Sequence, residues 1–141
     1  MLNVDELKNS VDVVFFDCDA TLSTIEGINY LAQKNSVEDE VAALTERVMS
    51  VEGMEPAIFK ERLNIVQPQL SQLKQLSQDY YQQRSLHVEH VIAFLHRLRK
   101  SVYIISAGNN PAVSQFGVLL GVSEQRAYAV DLYFDDAGNY Q

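Results

Sequence analysis

The stretch that decides the fold is VVFFDCDATLS, residues Val13 to Ser23. From Val11 to Phe16, five of the six residues are apolar and either β-branched or aromatic, which predicts a strand buried on both faces. Such strands lie in the middle of a sheet, and ligands of α/β proteins bind at their carboxyl ends. Asp17 and Asp19 follow this strand directly. One aspartate here would be explained as a turn or cap residue, so the second half of the chain has to decide whether the pair is functional.

The composition bounds the class of protein. The chain has 141 residues, which suits one domain or a core with a small insert, and its 47% hydrophobic and 21% charged residues are typical of a globular protein. A formal net charge of -8 argues against binding to nucleic acid. No apolar run approaches the ~20 residues that a membrane span requires, so we expect no membrane partner.

Cysteine usage and the N-terminal sequence indicate where in the cell the protein is located. Cys18 is the single cysteine of the chain, so no intramolecular disulfide can form. The first ten residues, MLNVDELKNS, lack the basic segment and apolar run of a signal peptide. Both observations predict a cytoplasmic protein.

Three zones follow one another along the sequence. Residues 1–24 contain the first strand and its aspartate loop, residues 25–84 show helical periods and no strand, and residues 85–141 alternate helix and strand. This order predicts an α/β protein with an incomplete, Rossmann-like parallel-sheet core built from 1–24 and 85–141. The segment 25–84 is predicted to form a helical-bundle cap inserted into that core.

The sequence SVYIISAGNN predicts a second buried strand, Val102 to Ile105, which ends in Ser106 and Ala107. Pro111 can begin the helix that follows. A hydroxyl, backbone N–H groups and a helix N-terminus together form a cradle for a phosphate group. Further along, residues 129–134 are predicted to form a third strand, followed by a turn and a return strand that begins at Tyr140.

In a parallel sheet both strand ends face the same crevice, so the two aspartates and Ser106 are expected to lie close together. Two carboxylates would repel an incoming phosphate, and a divalent cation such as Mg²⁺ removes that repulsion. One carboxylate can then attack phosphorus to form an aspartyl phosphate. The other can protonate the leaving oxygen and afterwards activate water. The residues therefore predict transfer of a phosphoryl group to water.

These residues also carry a family resemblance. DCDAT at Asp17 to Thr21, then Glu26 and Gly27, and later IISAGN resemble the haloacid dehalogenase superfamily and, within it, the phosphoserine phosphatases. The first motif of that family, D-x-D-x-S/T/V, is matched by Asp17, Asp19 and Thr21. Its second motif, a Ser or Thr after a hydrophobic strand, is matched by Ser106. A helical cap between the two motifs is a feature of the family, and the similarity extends through RVM and FKERLNIVQP.

The resemblance implies roles for the strand-end residues. Asp17 would be the nucleophile and would place a side-chain oxygen on Mg²⁺. Asp19 would be the general acid and base, with its backbone carbonyl on the same metal ion. Ser106 and the backbone N–H of Ala107 would hold the phosphoryl group.

The resemblance also implies that the cap recognises the amino-acid part of the substrate. Glu26 would meet the amino group of the substrate, Arg62 its carboxylate through a two-pronged ion pair, and Met49 would be an apolar residue of the cap pocket. Two simpler explanations stay open, because a glutamate early in a helix is favourable without any ligand and Arg62 can belong to a solvated helix face. Glu55 falls where the family has an apolar aromatic residue, which leaves the identity of the substrate open.

Two further motifs of the family have no match. The family uses a lysine that neutralises phosphate and nucleophile, and an acidic loop that completes the metal shell. No lysine follows Lys100, and the one acidic pair downstream, Asp135 and Asp136, is predicted to lie in a turn. These absences predict a chain that is truncated at its C-terminal side.

The function predicted from the sequence is Mg²⁺-dependent hydrolysis of a phosphomonoester through an aspartyl phosphate. The substrate is predicted to be phosphoserine, as in serine biosynthesis. Two alternatives stay open: another small phosphorylated metabolite, or a catalytically silent fragment that acts as a binding module. The sequence does not determine the oligomeric state.

Overall fold

The computed structural model describes residues 3–49 and 56–141. In these ranges three strands form one parallel sheet in the order β1-β2-β3, with β1 at Val13–Phe16, β2 at Ser101–Asn109 and β3 at Ala127–Val130. Val13 lies opposite Ser101, and Ile104 lies opposite Ala127. The predicted α/β class with a parallel sheet is confirmed.

Seven α-helices accompany the sheet in the described part of the chain. Their bounds are α1 Val4–Ser10, α2 Gly27–Lys34, α3 Glu38–Met49, α4 Pro56–Val66, α5 Leu70–Gln82, α6 Val88–Arg97 and α7 Ala112–Leu119. A short 3₁₀ turn, Glu124–Arg126, precedes β3. None of the described helices combines the length and the apolar character needed to cross a membrane.

The hydrophobic core lies on one face of the sheet. Val102 and Ile104 of β2 point into it, and Phe116 of α7 is fully buried against them. Buried residues of α6 and α5 belong to the same cluster, namely Val88, Ile92, Leu95, Leu73, Leu76 and Tyr80. Burying a large apolar side chain contributes about 1.5–3 kcal/mol, so this cluster is what holds the helices against the strand ends that matter for function.

The prediction that β1 is buried on both faces is wrong. β1 lies at an edge of the sheet formed by the described strands, and Val13 and Phe15 are 42% and 59% exposed. The ring of Phe15 lies tilted beside that of Tyr103, and the rings of Tyr103 and Tyr128 stack, along the same open face of the sheet. A continuous apolar run shows that both faces are apolar, but it does not show whether anything covers them.

The third strand was predicted at residues 129–134, whereas β3 is Ala127–Val130. Phe134 instead forms an antiparallel bridge with Tyr140, as expected for a return strand. Between them, Asp135 accepts hydrogen bonds from the backbone N–H groups of Ala137 and Asn139 at 3.0 and 2.8 Å. Asp135 is therefore a turn residue, as its sequence position predicts.

Helix α1 was missed in the sequence because its seven residues carry little apolar periodicity. It is defined by a capping box, in which Asn3 and Glu6 exchange side-chain and backbone hydrogen bonds of 2.8 Å. Helices α2 to α5 follow β1, and α5 packs against α7, where the rings of Tyr80 and Phe116 stack with centroids 5.3 Å apart. The proposed boundaries between cap and core, near residues 24 and 85, stay a prediction.

Candidate active site

The turn after β1 holds the two aspartates in fixed positions. Asp17 continues in an extended conformation, and its Oδ1 accepts the backbone N–H of Cys18 at 2.8 Å. The chain then reverses through Ala20, which adopts a left-handed conformation with φ of 53°, and the N–H of Ser23 closes the turn onto the carbonyl of Cys18. This tight turn directs both carboxylates to the same side.

A cavity of about 210 Å³ opens at this point. Asp17 and Asp19 line it from the β1 turn, Glu26 from the start of α2 and Arg62 from α4. The remaining lining residues are Ile28, Phe59, Ala107, Gly108 and Asn109. Five of the residues singled out in the sequence thus meet in one cavity: Asp17, Asp19, Glu26, Arg62 and Ala107.

The carboxylate of Asp19 is held by two donors on one oxygen. Its Oδ1 accepts the backbone N–H of Gly27 at 2.8 Å and the hydroxyl of Tyr80 at 2.5 Å. Its Oδ2 lies beside Gly108, 2.9 Å from the position that a Cβ on that glycine would occupy. A side chain at position 108 would force the carboxylate of Asp19 to shift, so the arrangement favours glycine there.

Glu26 and Arg62 influence each other across the cavity. Burial and the nearby charges of Asp19 and Asp17 raise the pKa of Glu26, whereas Arg62 acts in the opposite direction. Burial lowers the pKa of Arg62, and Glu26 opposes that shift. The Nε atom of Arg62 is buried and has no hydrogen-bond partner among the described residues. Since an unpaired buried donor is costly, Arg62 is suited to receive a ligand oxygen.

The second strand was predicted to end at Ile105, whereas β2 continues to Asn109, so Ser106 lies within the last four residues of β2. It does not line the cavity itself. Its Oγ accepts the backbone N–H of Gly108 at 2.9 Å. A Cβ on Gly108 would lie 3.0 Å from this Oγ and 2.9 Å from Oδ2 of Asp19. The hydroxyl and the carboxylate therefore flank one glycine. The side chain of Met49 lies outside the described residues, as does Glu55.

Two residues beside the aspartates differ in what they contribute. Burial and the charges of Asp19 and Asp17 raise the pKa of Cys18 far above its ordinary value, which disfavours the thiolate that a nucleophilic cysteine needs. Tyr80 donates to Asp19, and this contact was not predicted from the sequence. Its spacing with Leu73 and Leu76 indicates only a buried helix face, and no local signal shows which acceptor its hydroxyl reaches.

Several known proteins are similar to this chain in sequence or in fold. No protein-family model matches it. A phosphoserine phosphatase of Drosophila melanogaster is 31% identical over 128 residues, which are 91% of this chain and 47% of that protein. A phosphoserine phosphohydrolase-like protein of Francisella tularensis has 20% identity and a TM-score of 0.79 over 93% of this chain and 63% of its own.

A hydrolase of the haloacid dehalogenase (HAD) family from Salmonella enterica aligns with a TM-score of 0.81 at 16% identity, over 92% of this chain and 43% of its own. The fold is therefore the α/β fold of haloacid dehalogenase proteins. Within this class, the chain is similar to phosphoserine phosphatases in sequence and in fold, which confirms the predicted resemblance. The chain spans about half the length of the fly enzyme.

Proposed function

We propose that this chain carries the nucleophile, the general acid and base, and the substrate pocket of a phosphomonoester hydrolase that acts on phosphoserine. The observation that supports this most is the cavity in which Asp17 and Asp19 face Glu26 and Arg62. It combines two carboxylates at a strand end with a cation whose Nε lacks a partner among the described residues. The relatives named phosphoserine phosphatase support the same substrate.

The two aspartates divide the reaction between them. A carboxylate oxygen of Asp17 attacks phosphorus, and the bond between phosphorus and the serine oxygen breaks as Asp19 gives that oxygen its proton. Asp19 then takes a proton from water, whose oxygen attacks the aspartyl phosphate. Inorganic phosphate leaves, and Asp17 is again a free carboxylate. Each step uses one oxygen of each aspartate. Oδ1 of Asp19 already accepts two hydrogen bonds, which leaves its Oδ2 for the proton transfers.

The donor set at the strand end suits Mg²⁺. The side-chain oxygen of Asp17 and the backbone carbonyl of Asp19 would hold the ion, which is commonly bound by one or two carboxylates together with substrate oxygens and water. When bound, it would neutralise the charge between the carboxylate and the phosphate. Among the described residues no cluster of three or more His, Cys, Asp or Glu side chains forms a metal site by itself.

The polar groups of the cavity match an amino acid. The carboxylate of Glu26 would accept the substrate ammonium group, and the guanidinium of Arg62 would donate to the substrate carboxylate. Ser106 and the N–H of Ala107 would donate to the phosphoryl oxygens. The reaction releases serine and phosphate, and we assign it to serine biosynthesis in the cytoplasm.

A phosphate-release assay tests the proposal directly. The chain is incubated with phosphoserine and millimolar Mg²⁺, then with the same substrate and excess chelator, and phosphoserine binding is measured in parallel by calorimetry. Turnover that depends on Mg²⁺ supports the proposal. Binding without turnover would instead indicate a catalytically silent binding module, and turnover of other phosphomonoesters in preference to phosphoserine would indicate a different small metabolite.

A further inference from the structure

One contact of the cavity wall is not explained by the reaction itself. Tyr80, in the last turns of α5, is fully buried, yet its hydroxyl reaches Oδ1 of Asp19 at 2.5 Å. A buried aromatic residue that served packing alone could be phenylalanine. The hydroxyl is useful only for the hydrogen bond that it donates.

Three parts of the fold converge on that oxygen. The turn after β1 supplies Asp19, the start of α2 supplies the N–H of Gly27 at 2.8 Å, and α5 supplies the Tyr80 hydroxyl. Gly27 has to lack a side chain for this arrangement, since a Cβ there would overlap the Tyr80 hydroxyl and lie 3.3 Å from Oδ1. The glycine and the tyrosine are therefore fitted to each other around one carboxylate oxygen.

The two donors leave the other oxygen available. Oδ2 accepts no hydrogen bond from the residues that the structure describes, and it lies at the cavity wall beside Gly108. When χ1 and χ2 of an aspartate are fixed, the same carboxylate oxygen faces every substrate molecule. An aspartate without such constraints alternates between rotamers. Misplacing a reacting group by about 1 Å can cost roughly a hundred-fold in rate.

We propose that Tyr80 is a positioning residue that, together with Gly27, fixes the carboxylate of Asp19 with Oδ2 directed toward the substrate. The ring is placed for this by its stack on Phe116, with centroids 5.3 Å apart. The hydroxyl does not touch the reacting atoms and acts through Asp19. The consequence for catalysis rests on the proposed function, whereas the orientation of Asp19 can be tested without it.

The test uses Tyr80→Phe, which keeps the ring and its stack and removes the hydroxyl. The matched control is Tyr81→Phe, because Tyr81 also donates to a carboxylate, Oε1 of Glu89, at 2.5 Å but lies outside the cavity. Gly27→Ala provides a second perturbation, since it keeps the Tyr80 hydroxyl and displaces it. The first measurement is the set of three-bond couplings in NMR that reports χ1 of Asp19 in the intact chain.

We expect one χ1 rotamer of Asp19 in the parent and in Tyr81→Phe, and averaged couplings in Tyr80→Phe and Gly27→Ala. An unchanged single rotamer in both cavity variants overturns the proposal, whether or not the chain is active. Absence of phosphoserine turnover in the parent would count against the proposed function only, because the couplings still decide the orientation.

The second measurement is steady-state turnover of phosphoserine. Tyr80→Phe should lower kcat about ten- to a hundred-fold with KM within about two-fold, and should have no further effect in an Asp19→Asn background. Tyr81→Phe should leave both constants unchanged. An equal loss in the Asp19→Asn background would show that Tyr80 acts through general packing, and would overturn the positioning role.

Discussion

Glu26 and Arg62 line the same cavity from two helices, Glu26 directly before α2 and Arg62 within α4. The carboxyl group of Glu26 shares the cavity with those of Asp17 and Asp19, which contribute to the rise in its pKa. The charge of Arg62 opposes that rise. The cavity thus has an acidic wall that faces a partly buried cation. Of the charged groups of the proposed substrate, the ammonium group and the carboxylate would each meet a group of opposite charge here, Glu26 and Arg62.

Replacing Arg62 by alanine tests whether the cavity binds the carboxylate of the substrate. A lost charge-assisted hydrogen bond is worth roughly 1.5–3 kcal/mol, so Arg62→Ala should raise KM for phosphoserine about ten- to a hundred-fold. KM for p-nitrophenyl phosphate, which has no such carboxylate, should change little. Arg84→Ala is the control, because Arg84 pairs with Glu89 at 2.7 Å away from the cavity. Equal losses on both substrates would show that Arg62 is structural.

The raised pKa of Glu26 predicts how the stability of the folded chain changes with pH. Its pKa in the folded chain is raised above the ordinary 4.5, so the folded state holds this proton more tightly than the unfolded state does. The stability contributed by that proton is fully present below the unfolded pKa and is lost as pH rises through the folded pKa. Glu26→Gln should therefore raise Tm at pH 7 relative to the parent, and the difference should disappear near pH 4.

Glu89 provides a control of opposite sign for that series of melting curves. Hydrogen bonds from Tyr81 and Arg84 lower the pKa of Glu89, so its contribution to stability is present above the unfolded pKa and is lost as pH falls. Glu89→Gln should lower Tm at pH 7. If Glu26→Gln lowered Tm at pH 7, as Glu89→Gln is expected to do, the electrostatic explanation for Glu26 would be wrong.

Asp17→Asn tests the nucleophile. An amide oxygen is a poor nucleophile, so hydrolysis of phosphoserine and of p-nitrophenyl phosphate should fall below a tenth of the parent rate. The asparagine can still accept the N–H of Cys18, so the far-ultraviolet circular dichroism should not change. Asp12→Asn, on the exposed residue before β1, should retain full activity. Turnover by Asp17→Asn above a tenth of the parent rate would remove Asp17 from the proposed role.

The sequence predicted the residues whose position depends on a strand end. Asp17 and Asp19 follow an apolar run directly, and parallel pairing of β1 with β2 brings them toward Ser106 whatever the details of packing. Arg62 could be predicted from the family resemblance alone, because its helical neighbours do not distinguish a cavity from solvent. Tyr80 could not be predicted as a site residue, since its contact with Asp19 depends on how α5 packs against the turn. The exposure of Phe15 was missed for the same reason: burial depends on what covers a face.

The core that positions the cavity gives the last prediction. Phe116 is fully buried between the sheet and α5, where it supports the ring of Tyr80. Phe116→Ala should lower the free energy of unfolding by about 3–5 kcal/mol, because it removes apolar contacts and leaves a cavity. Phe94→Ala is the control at a residue that is 41% exposed, and it should cost less than about 1 kcal/mol. Urea denaturation followed by circular dichroism measures both. If Phe116→Ala does not fold, Phe116→Leu keeps most of the volume and should still lose more stability than Phe94→Ala; a smaller loss would show that the stack on Tyr80 contributes little to the core.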